Sequence, residues 1–368
     1  MKTYPLQSIS IAEAEKKQFA MVDAIMQEFE GKDVINLGDL GCVRPYNKPV
    51  TAMKAEKAIA SFFHAEACEL VTGAGTGAIR WGLISMVKPG STILVHTAPV
   101  YPTTEITVQG LNLKLVRADF NDPEAIRKAM AENEIEGAIV QHTRQVPMDS
   151  YSLEEVIRTI KSVKDVPVIV DDNYAVMKVE KIGVECGADL SAFSSFKLLG
   201  PEGVGILVGK KSLIDKVDSM NYSGGSKVQG WQAMEVLRGL VYAPVALAVQ
   251  AEQNELLIEK LKNSDIPEIK DAFLANSQSK VLLVEFNEDI AEDVLKEAEK
   301  MGALPNPVGA ESKYELVPMF YKVSGTFLKM DPALIKRMIR INPNRGGADS
   351  ILRILKESIR RAKCSSQS

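Results

Sequence analysis

The sequence SAFSSFKLLGPEGVGILVG, residues 191–209, contains two short apolar runs separated by a lysine and a Gly-Pro turn. The runs at 190–193 and 204–208 predict buried strands, because they are nearly continuous in apolar residues and end at turn residues. Lys197 follows the first run almost directly. The stretch therefore predicts a lysine near the end of a buried strand.

The same sequence pattern of helix, apolar run and turn extends outward over residues 50–210. Further runs rich in Val, Ile and Leu predict strands at 69–72, 92–96, 113–116, 138–142 and 166–170. Helical patterns lie between them, as at 123–131 and at 152–163, where Ser152 and Glu155 form a capping-box pattern. This alternation predicts an α/β fold with a mostly parallel, mixed sheet covered by helices on both faces.

The pattern changes after about residue 245, where strands become fewer and 280–286 is the clearest of them. Helical patterns follow at 290–301 and 350–361. We predict an N-terminal arm and helix over 1–45, a large domain over 46–245, and a small α+β C-terminal domain over 246–368.

Composition excludes several classes of function. The 368 residues include 44 Lys and Arg against 48 Asp and Glu, so a net charge of -4 offers no basic surface for nucleic acid. We find no stretch of about 20 apolar residues, the length that a membrane helix requires. The four cysteines form no C-x-x-C pair, so we expect no zinc site or disulfide framework, and we expect a reducing cytoplasm.

A glycine-rich loop, TGAGTGAIR at 72–80, follows the first predicted strand. Gly73, Gly75 and Gly77 free the backbone, and Thr76 supplies a hydroxyl where a helix begins, so the loop can hold a phosphate on its amide N–H groups. It could equally be a glycine turn for close packing of helix on strand. It also fits the dinucleotide pattern G-x-G-x-x-A, although no acid follows the second strand to bind a ribose.

Two acids follow the fifth strand in VIVDDNYAV, residues 168–176. A carboxylate beyond a buried strand needs a cation or hydrogen-bond donors to stay ionised. One of Asp171 and Asp172 could instead form a turn. Lys197 follows the sixth strand. It is either a nucleophile, in partly dry surroundings that lower the pKa of its amine, or an ordinary solvated lysine.

The three motifs together point to one cofactor, because ligands of an open α/β sheet bind beyond the carboxyl ends of its strands. Pyridoxal phosphate requires an anion cradle, a lysine for a Schiff base and an acid beside its pyridine nitrogen, and it requires no metal ligand. We therefore predict pyridoxal 5'-phosphate as the cofactor.

At these residues the sequence resembles the fold type I pyridoxal phosphate enzymes, the superfamily of aspartate aminotransferase and the cystathionine lyases, from about residue 36 to 362. Within that superfamily it is most similar to the YhfS-type aminotransferase-like proteins. A weaker similarity connects it to the methionine gamma-lyase and aluminium-resistance branch.

The resemblance implies roles for residues around the cofactor. Lys197 resembles the Schiff-base lysine and Ser194 the phosphate-binding serine of S-x-x-K. Asp171 matches the pyridine acid better than Asp172, because Tyr174 then lies three residues on, where aminotransferases place a tyrosine near the phenolic oxygen.

The resemblance also assigns the phosphate loop and the group that stacks on the ring. Gly75, Thr76 and Gly77 resemble the phosphate loop. Tyr101, in HTAPVYPTT at 96–104, resembles the stacking tyrosine of the lyase branch, and His96 is the alternative.

Substrate binding and assembly are implied in the same way. Arg340, in IRINPNRGG at 339–347, resembles the arginine that binds a substrate carboxylate, with Arg345 as the alternative. Two further segments resemble parts that are supplied across a dimer interface. They are CVRPYNKP, with Arg44 and Tyr46, and YSGGSKVQG, with Gly225 and Ser226. The resemblance implies a homodimer.

The sequence departs from the aminotransferase pattern at two places. QHTRQVP at 141–147 replaces the usual Asn-Pro-Gly turn, so His142, Thr143 and Arg144 stand at the mouth of the site. Arg144 could bind an anionic substrate group or pair with Asp172. Gly205 stands where aspartate aminotransferases carry an arginine eight residues after the lysine.

We predict from these residues a pyridoxal phosphate-dependent enzyme that acts on an amino acid, aminotransferase-like in its use of Asp171 and Tyr174. The alternative is a carbon–sulfur or other β- or γ-elimination lyase. An NAD-binding oxidoreductase and a non-catalytic pyridoxal phosphate sensor remain the other classes.

Overall fold

The computed structural model describes residues 2–277, 279–309, 311–323 and 325–365. The chain divides into a larger unit, residues 12–143 and 150–244, and a smaller unit, residues 1–11, 144–149 and the chain from 245 onward. The division after residue 244 lies one residue from the predicted boundary. The N-terminal 45 residues, predicted as one arm, are instead divided between the two units.

The larger unit alternates helices and strands as the sequence indicates. Its elements are α1 (Ile11–Glu28), α2 (Gly31–Val34), α3 (Val50–Phe62), β1 (Ala67–Thr72), α4 (Ala74–Met86), β2 (Thr92–His96), α5 (Pro102–Gly110), β3 (Lys114–Ala118), α6 (Pro123–Glu132), β4 (Gly137–Gln141), α7 (Leu153–Val163), β5 (Val168–Asp171), β6 (Leu190–Ser194), β7 (Val204–Gly209) and α8 (Lys211–Met220). The seven predicted strands are present, and each end lies within two residues of its prediction.

The seven strands form one mixed sheet in the order β1-β7-β6-β5-β4-β2-β3. Strand β7 runs antiparallel to its neighbours β1 and β6, whereas the other neighbouring pairs are parallel. The α/β prediction is confirmed. The carboxyl ends of β4, β5 and β6 are adjacent at one edge of the sheet, because these strands are parallel neighbours.

The pleat of β5 decides which side chains face which helices. Ile169 packs into the core that also contains Leu83 of α4 and Ile214 of α8. Val170 packs into the opposite core, with Ile160 of α7. Because successive side chains of a strand point to opposite faces, Asp171 continues on the face of α4.

The smaller unit is built on a second sheet. Its elements are the second part of α9 (Gly230–Lys262), which begins in the larger unit, followed by β8 (Ile269–Ser277), β9 (Ser279–Phe286), α10 (Ala291–Lys300), β10 (Met319–Lys322), α11 (Thr326–Met330), α12 (Leu334–Arg337), β11 (Met338–Asn342) and α13 (Ala348–Ser365). The strands are antiparallel in the order β10-β11-β9-β8. Of these four strands the sequence predicts only β9, because β10 is short and polar residues interrupt β8 and β11.

Within the described residues, α9 is the one helix that is long and apolar enough to cross a membrane by length and composition. More than half of its apolar stretch, 56%, is buried inside the protein. Core helices of globular proteins meet the same criterion, so this helix does not by itself indicate a membrane protein.

Candidate active site

The glycine-rich loop forms the N-terminus of α4. Gly73 has a left-handed φ of 98°, and Gly203 O accepts from Gly73 N (2.8 Å) and Ala74 N (3.1 Å). Gly75 and Thr76 are the second and third residues of the helix, so their N–H groups have no acceptor within it. Free amides at the positive end of a helix dipole are groups that can hold an anion.

The glycines of this loop are required by packing. A Cβ at Gly75 would lie 2.6 Å from the side-chain oxygen of Asn173, and a Cβ at Gly77 would lie 2.2 Å from the backbone oxygen of Thr72. Gly205 is equally constrained, because its Cβ would lie 2.1 Å from the backbone oxygen of Ala74. The position eight residues after Lys197 therefore has no room for any side chain.

Asp171 ends β5 and is buried. Its Oδ1 accepts from the backbone N (3.0 Å) and the side-chain Nδ2 (2.8 Å) of Asn173. Burial raises the pKa of Asp171, although the hydrogen bonds of Asn173 and the charge of Lys197 act in the opposite direction. The carboxyl group is thus a buried acid within electrostatic range of the lysine.

The neighbouring acid, Asp172, is fully buried and already paired. Its Oδ1 lies 2.7 Å from Nδ1 of His142, and Gly183 N donates to its carboxylate at 3.1 Å. Because Gly183 packs against Val170, this pair lies on the face of α7. Of the two acids, only Asp171 faces the glycine loop.

Lys197 lies in a short helical turn, Ser195–Leu198, directly after β6. Its Nζ is 3.6 Å from the centre of the Tyr174 ring. Tyr174 adopts a left-handed φ of 66°, which is costly for a tyrosine and turns the chain back at the end of β5. A second lysine, Lys178, has its Nζ 5.6 Å from the same ring and is buried, whereas Lys197 is half-buried.

The two candidates for stacking on the cofactor differ in their surroundings. Tyr101 precedes α5 and is half-buried, and its pKa is raised by burial and by the charge of Asp171. His96 is buried, accepts from Phe120 N at 3.0 Å, and packs on the rings of Phe120 and Tyr151. His96 is therefore a core histidine, and Tyr101 lies near the acid.

Asn173 is a central residue of the site that the sequence analysis did not identify. Its Oδ1 accepts from Ser194 N (3.0 Å), its Nδ2 donates to Asp171, and its side chain occupies the space beside Gly75. Thr103 was also missed, although Thr76 donates to its hydroxyl at 3.1 Å. The only available signal for Asn173 was its position between two candidate residues.

Ser226 and Arg44 also belong to the larger unit, but they lie in segments other than those that carry Asp171 and Lys197. The Ser226 hydroxyl donates to Ser223 O at 2.7 Å within a short helical turn, Gly224–Ser226. The next residue, Lys227, forms an isolated β-bridge with Val71 of β1. Arg44 lies in the turn between Val43 and Lys48, which form a second bridge.

The candidate arginines for the substrate belong to the smaller unit. Arg340 is buried in β11, donates from Nε to Lys322 O (2.9 Å), and stacks on Tyr321 with 4.1 Å between its guanidinium carbon and the ring centre. Arg345 donates from Nη1 to Ala246 O at 3.2 Å and also contacts Gln250. Arg144, buried in the segment 144–149, is the third candidate.

Comparison with known families is consistent with this geometry. Residues 48–236 match the class-V aminotransferase family. Residues 255–355 match the YhfS-like C-terminal domain family.

Relatives extend the match to nearly the whole chain. The protein YhfS of Escherichia coli (strain K12) is 54% identical over 98% of this chain and 99% of its own length. The crystal structure of the pyridoxal-5'-phosphate dependent protein YhfS from Escherichia coli superimposes with a TM-score of 0.97 at 53% identity, covering 98% of this chain and 100% of that one. A UPF0425 pyridoxal phosphate-dependent protein of Methanosphaera stadtmanae is 28% identical over 60% of this chain and 56% of its own length.

The raised pKa of Asp171 leads to a prediction about stability. The folded protein holds this proton more tightly than the unfolded chain, so stability falls as pH rises from the ordinary value of about 4 through the raised pKa. Asp171→Asn keeps the oxygen that accepts both Asn173 hydrogen bonds. In thermal melts of ligand-free protein it should melt above the wild type at pH 8, with the difference shrinking toward pH 4.

The adjacent acid supplies the control for this measurement. Asp172→Asn places an NH₂ group opposite Gly183 N and removes the charge beside His142, so it should destabilise the protein by about 1 to 3 kcal/mol. Equal shifts of the melting temperature in both variants would contradict the assignment of the pKa shift to burial of Asp171.

Proposed function

This chain belongs to the class-V aminotransferase family of pyridoxal phosphate-dependent proteins, and from that membership we propose that it is an enzyme that acts on an amino acid through Lys197. The observation that carries the proposal is the convergence of Lys197, Asp171 and the N-terminus of α4 in the larger unit. Each of the three supplies one kind of group that the cofactor needs.

The residues present fit pyridoxal phosphate. The amides of Gly75 and Thr76 and the Ser194 hydroxyl would hold the phosphate, because Cβ atoms are excluded at Gly75 and Gly77 and the helix dipole favours an anion. The Gly77 amide already donates to Gly73 O at 2.8 Å, so Gly77 would contribute only its lack of a side chain. Asp171 would hold the pyridine nitrogen, Tyr101 would stack on the ring, and Lys197 would bind the aldehyde carbon. Ser226 is proposed as a further phosphate ligand, supplied by a neighbouring subunit.

When bound, pyridoxal phosphate supplies an electron sink for negative charge at the substrate α-carbon. The protein's own groups control the proton. The Lys197 amine, when neutral, accepts the proton from the substrate α-carbon and can return it. Asp171 would keep a proton on the pyridine nitrogen, and Tyr174, against which Lys197 Nζ rests, would position the amine.

Arg340 is our candidate for binding the substrate carboxylate. Its guanidinium is oriented on two sides, by the Tyr321 ring and by Lys322 O, so little side-chain entropy remains to be lost on binding. The Nη1 of Arg345 already donates to two residues of α9, Ala246 O and the side chain of Gln250. Arg144 is proposed to bind a distal anionic group of the substrate.

We propose amino-group transfer as the reaction, because Asp171 and Tyr174 have the spacing of the aminotransferase pair and Tyr174 contacts Lys197. A β- or γ-elimination lyase is the second candidate. It is favoured by one observation, the absence of space for an arginine at Gly205, which separates this chain from the aspartate aminotransferases.

We propose that the enzyme is a homodimer. Support comes from the segment after α2, where Ile35, Leu37 and Leu40 are 82%, 78% and 73% exposed. Three exposed apolar side chains of this size within six residues are typical of a surface that another subunit covers. We also propose that the protein works in a reducing cytoplasm, because the sequence contains no C-x-x-C pair among its four cysteines.

Lys197 is the residue to which we expect the cofactor to attach. Purified protein with added pyridoxal phosphate should be yellow, and borohydride should fix the cofactor to Lys197 in peptide mapping. Lys197→Ala should lose the absorbance of the lysine-bound cofactor. Lys178→Met is the matched control, since this second lysine approaches the same Tyr174 ring from 5.6 Å and should leave attachment intact. A label on Lys178, or no uptake at all, would refute the proposal.

The reaction itself is tested with a panel of amino acids, in both L and D forms. We expect keto acid to accumulate together with the amine form of the cofactor, one equivalent per active site when no acceptor is supplied. Release of ammonia in amounts beyond one equivalent per active site would instead identify the lyase. Uptake of NAD without pyridoxal phosphate would support an oxidoreductase.

Arg340 and Arg345 are distinguished by matched lysine substitutions. Arg340→Lys should raise the KM of the best amino acid about 100-fold, because an ammonium cannot pair both carboxylate oxygens. Arg345→Lys should lower the melting temperature and leave the KM nearly unchanged, because its guanidinium bonds Ala246 O and Gln250. The reverse pattern in steady-state kinetics would transfer the substrate role to Arg345.

A further inference from the structure

Five charged side chains of the larger unit form a network, which we call the lysine pair network: Lys48, Glu56, Glu69 and Lys227, which are buried, and Asp218, which is partly exposed. The Nζ of Lys48 lies 2.9 Å from Glu56, 2.5 Å from Glu69 and 3.1 Å from Asp218. The Nζ of Lys227 lies 3.0 Å from Glu69 and 2.5 Å from Asp218. Glu69 is the most buried of the five and contacts both lysines.

The members of the network come from rigid elements and from loops. Glu56, Glu69 and Asp218 lie on α3, β1 and α8. Lys48 ends the loop that contains Arg44 and Tyr46, and Lys227 follows the turn that contains Gly225 and Ser226. The acids are thus fixed by regular structure, and the lysines fasten two irregular segments to them.

The two segments also contact each other and β1. Asn47 donates from its side chain to Tyr222 O, and Gly41 N donates to the side chain of Gln229 at 2.8 Å. Lys227 forms a β-bridge with Val71, two residues before the phosphate loop begins at Gly73. A displacement of the network would therefore move both segments together.

If one acid of this network is removed, the lysine that it paired with can regain solvation only by moving toward water. Buried ion pairs lose most when one partner is removed, because the other charge stays uncompensated in a poorly solvated place. The lysines sit at the ends of loops, so they can move toward water, whereas α3, β1 and α8 are held by the core. Loss of Glu69 should therefore release the loops and spare the sheet.

We infer that Glu69 is a positioning residue, which holds segments 42–48 and 222–229 in place through Lys48 and Lys227 so that they can complete a cofactor-phosphate site. The inference rests on the proposed function for its cofactor part. The segments contain the residues that we propose to be supplied to a neighbouring subunit. Glu69 itself touches no ligand, and it acts only through the two lysines.

The test uses full-length protein carrying Glu69→Gln, which keeps the shape of the side chain and removes its charge. Hydrogen exchange should become about tenfold faster in segments 42–48 and 222–229 and stay unchanged in β4 to β6. The dissociation constant of pyridoxal phosphate should rise about tenfold, the scale on which supporting contacts act. The absorbance spectrum of the cofactor-saturated protein should stay that of the wild type, because Lys197 is not displaced.

Asp215→Asn is the matched control. Asp215 lies on α8 one turn before Asp218 and lines the same 450 Å³ cavity as Glu69, but it pairs with the exposed Lys211. It should change neither loop exchange nor cofactor affinity. Lys227→Met should speed hydrogen exchange in segment 222–229, as Glu69→Gln does. The double variant should exchange there no faster than Lys227→Met alone, because both substitutions remove the contact between Glu69 and Lys227. If Glu69→Gln does not fold, Lys227→Met and the partly exposed Asp218→Asn carry the test.

The outcomes separate this inference from the proposed function. Faster exchange throughout the larger unit, or unchanged exchange in both loops, overturns the positioning role. If wild type and Glu69→Gln bind pyridoxal phosphate equally well, the inference fails and the proposed function stands. If the wild type takes up no pyridoxal phosphate, the proposed function fails, and the cofactor part of the inference fails with it.

Discussion

The side-chain amide of Asn173 holds the candidate site together. Its Nδ2 donates to the buried carboxyl group of Asp171, and its Oδ1 accepts from the backbone of Ser194, three residues before Lys197. The same side chain fills the space beside Gly75, where a Cβ would lie 2.6 Å from it. One residue thus positions the acid, the strand that carries the lysine, and the first turn of α4.

The arrangement depends on the pleat of β5 as much as on hydrogen bonds. Two consecutive acids follow this strand, yet alternation sends Asp171 toward α4 and Asp172 toward the core beneath α7. There Asp172 pairs with His142 and Gly183, which compensates for its complete burial. Adjacent residues of the same type therefore have different environments and different chemistry.

Charged side chains have different surroundings near Lys197 and in the lysine pair network around Glu69. Near Lys197 a single buried acid is left with a raised pKa, a condition that suits proton chemistry. In the lysine pair network, Glu69 and Asp218 each contact both lysines, and Glu56 contacts Lys48. Burial and the nearby charge of Glu69 still raise the pKa of Glu56 to about 8. The paired charges hold two loop segments in place, whereas Asp171 faces the glycine loop and is available to a ligand.

The sequence by itself determined the α/β class, the seven strands of the large sheet, and the motifs around Lys197, Asp171 and Gly75. It could do so because apolar periodicity and glycine or proline turns are local properties of the chain. Only the tertiary structure decided that Asn173 joins these motifs, that His96 is a core residue, and that Gly205 has no room for a side chain. It also revealed three strands of the small sheet and the network around Glu69. These features depend on contacts between residues far apart in the chain, and a local pattern carries no information about such contacts.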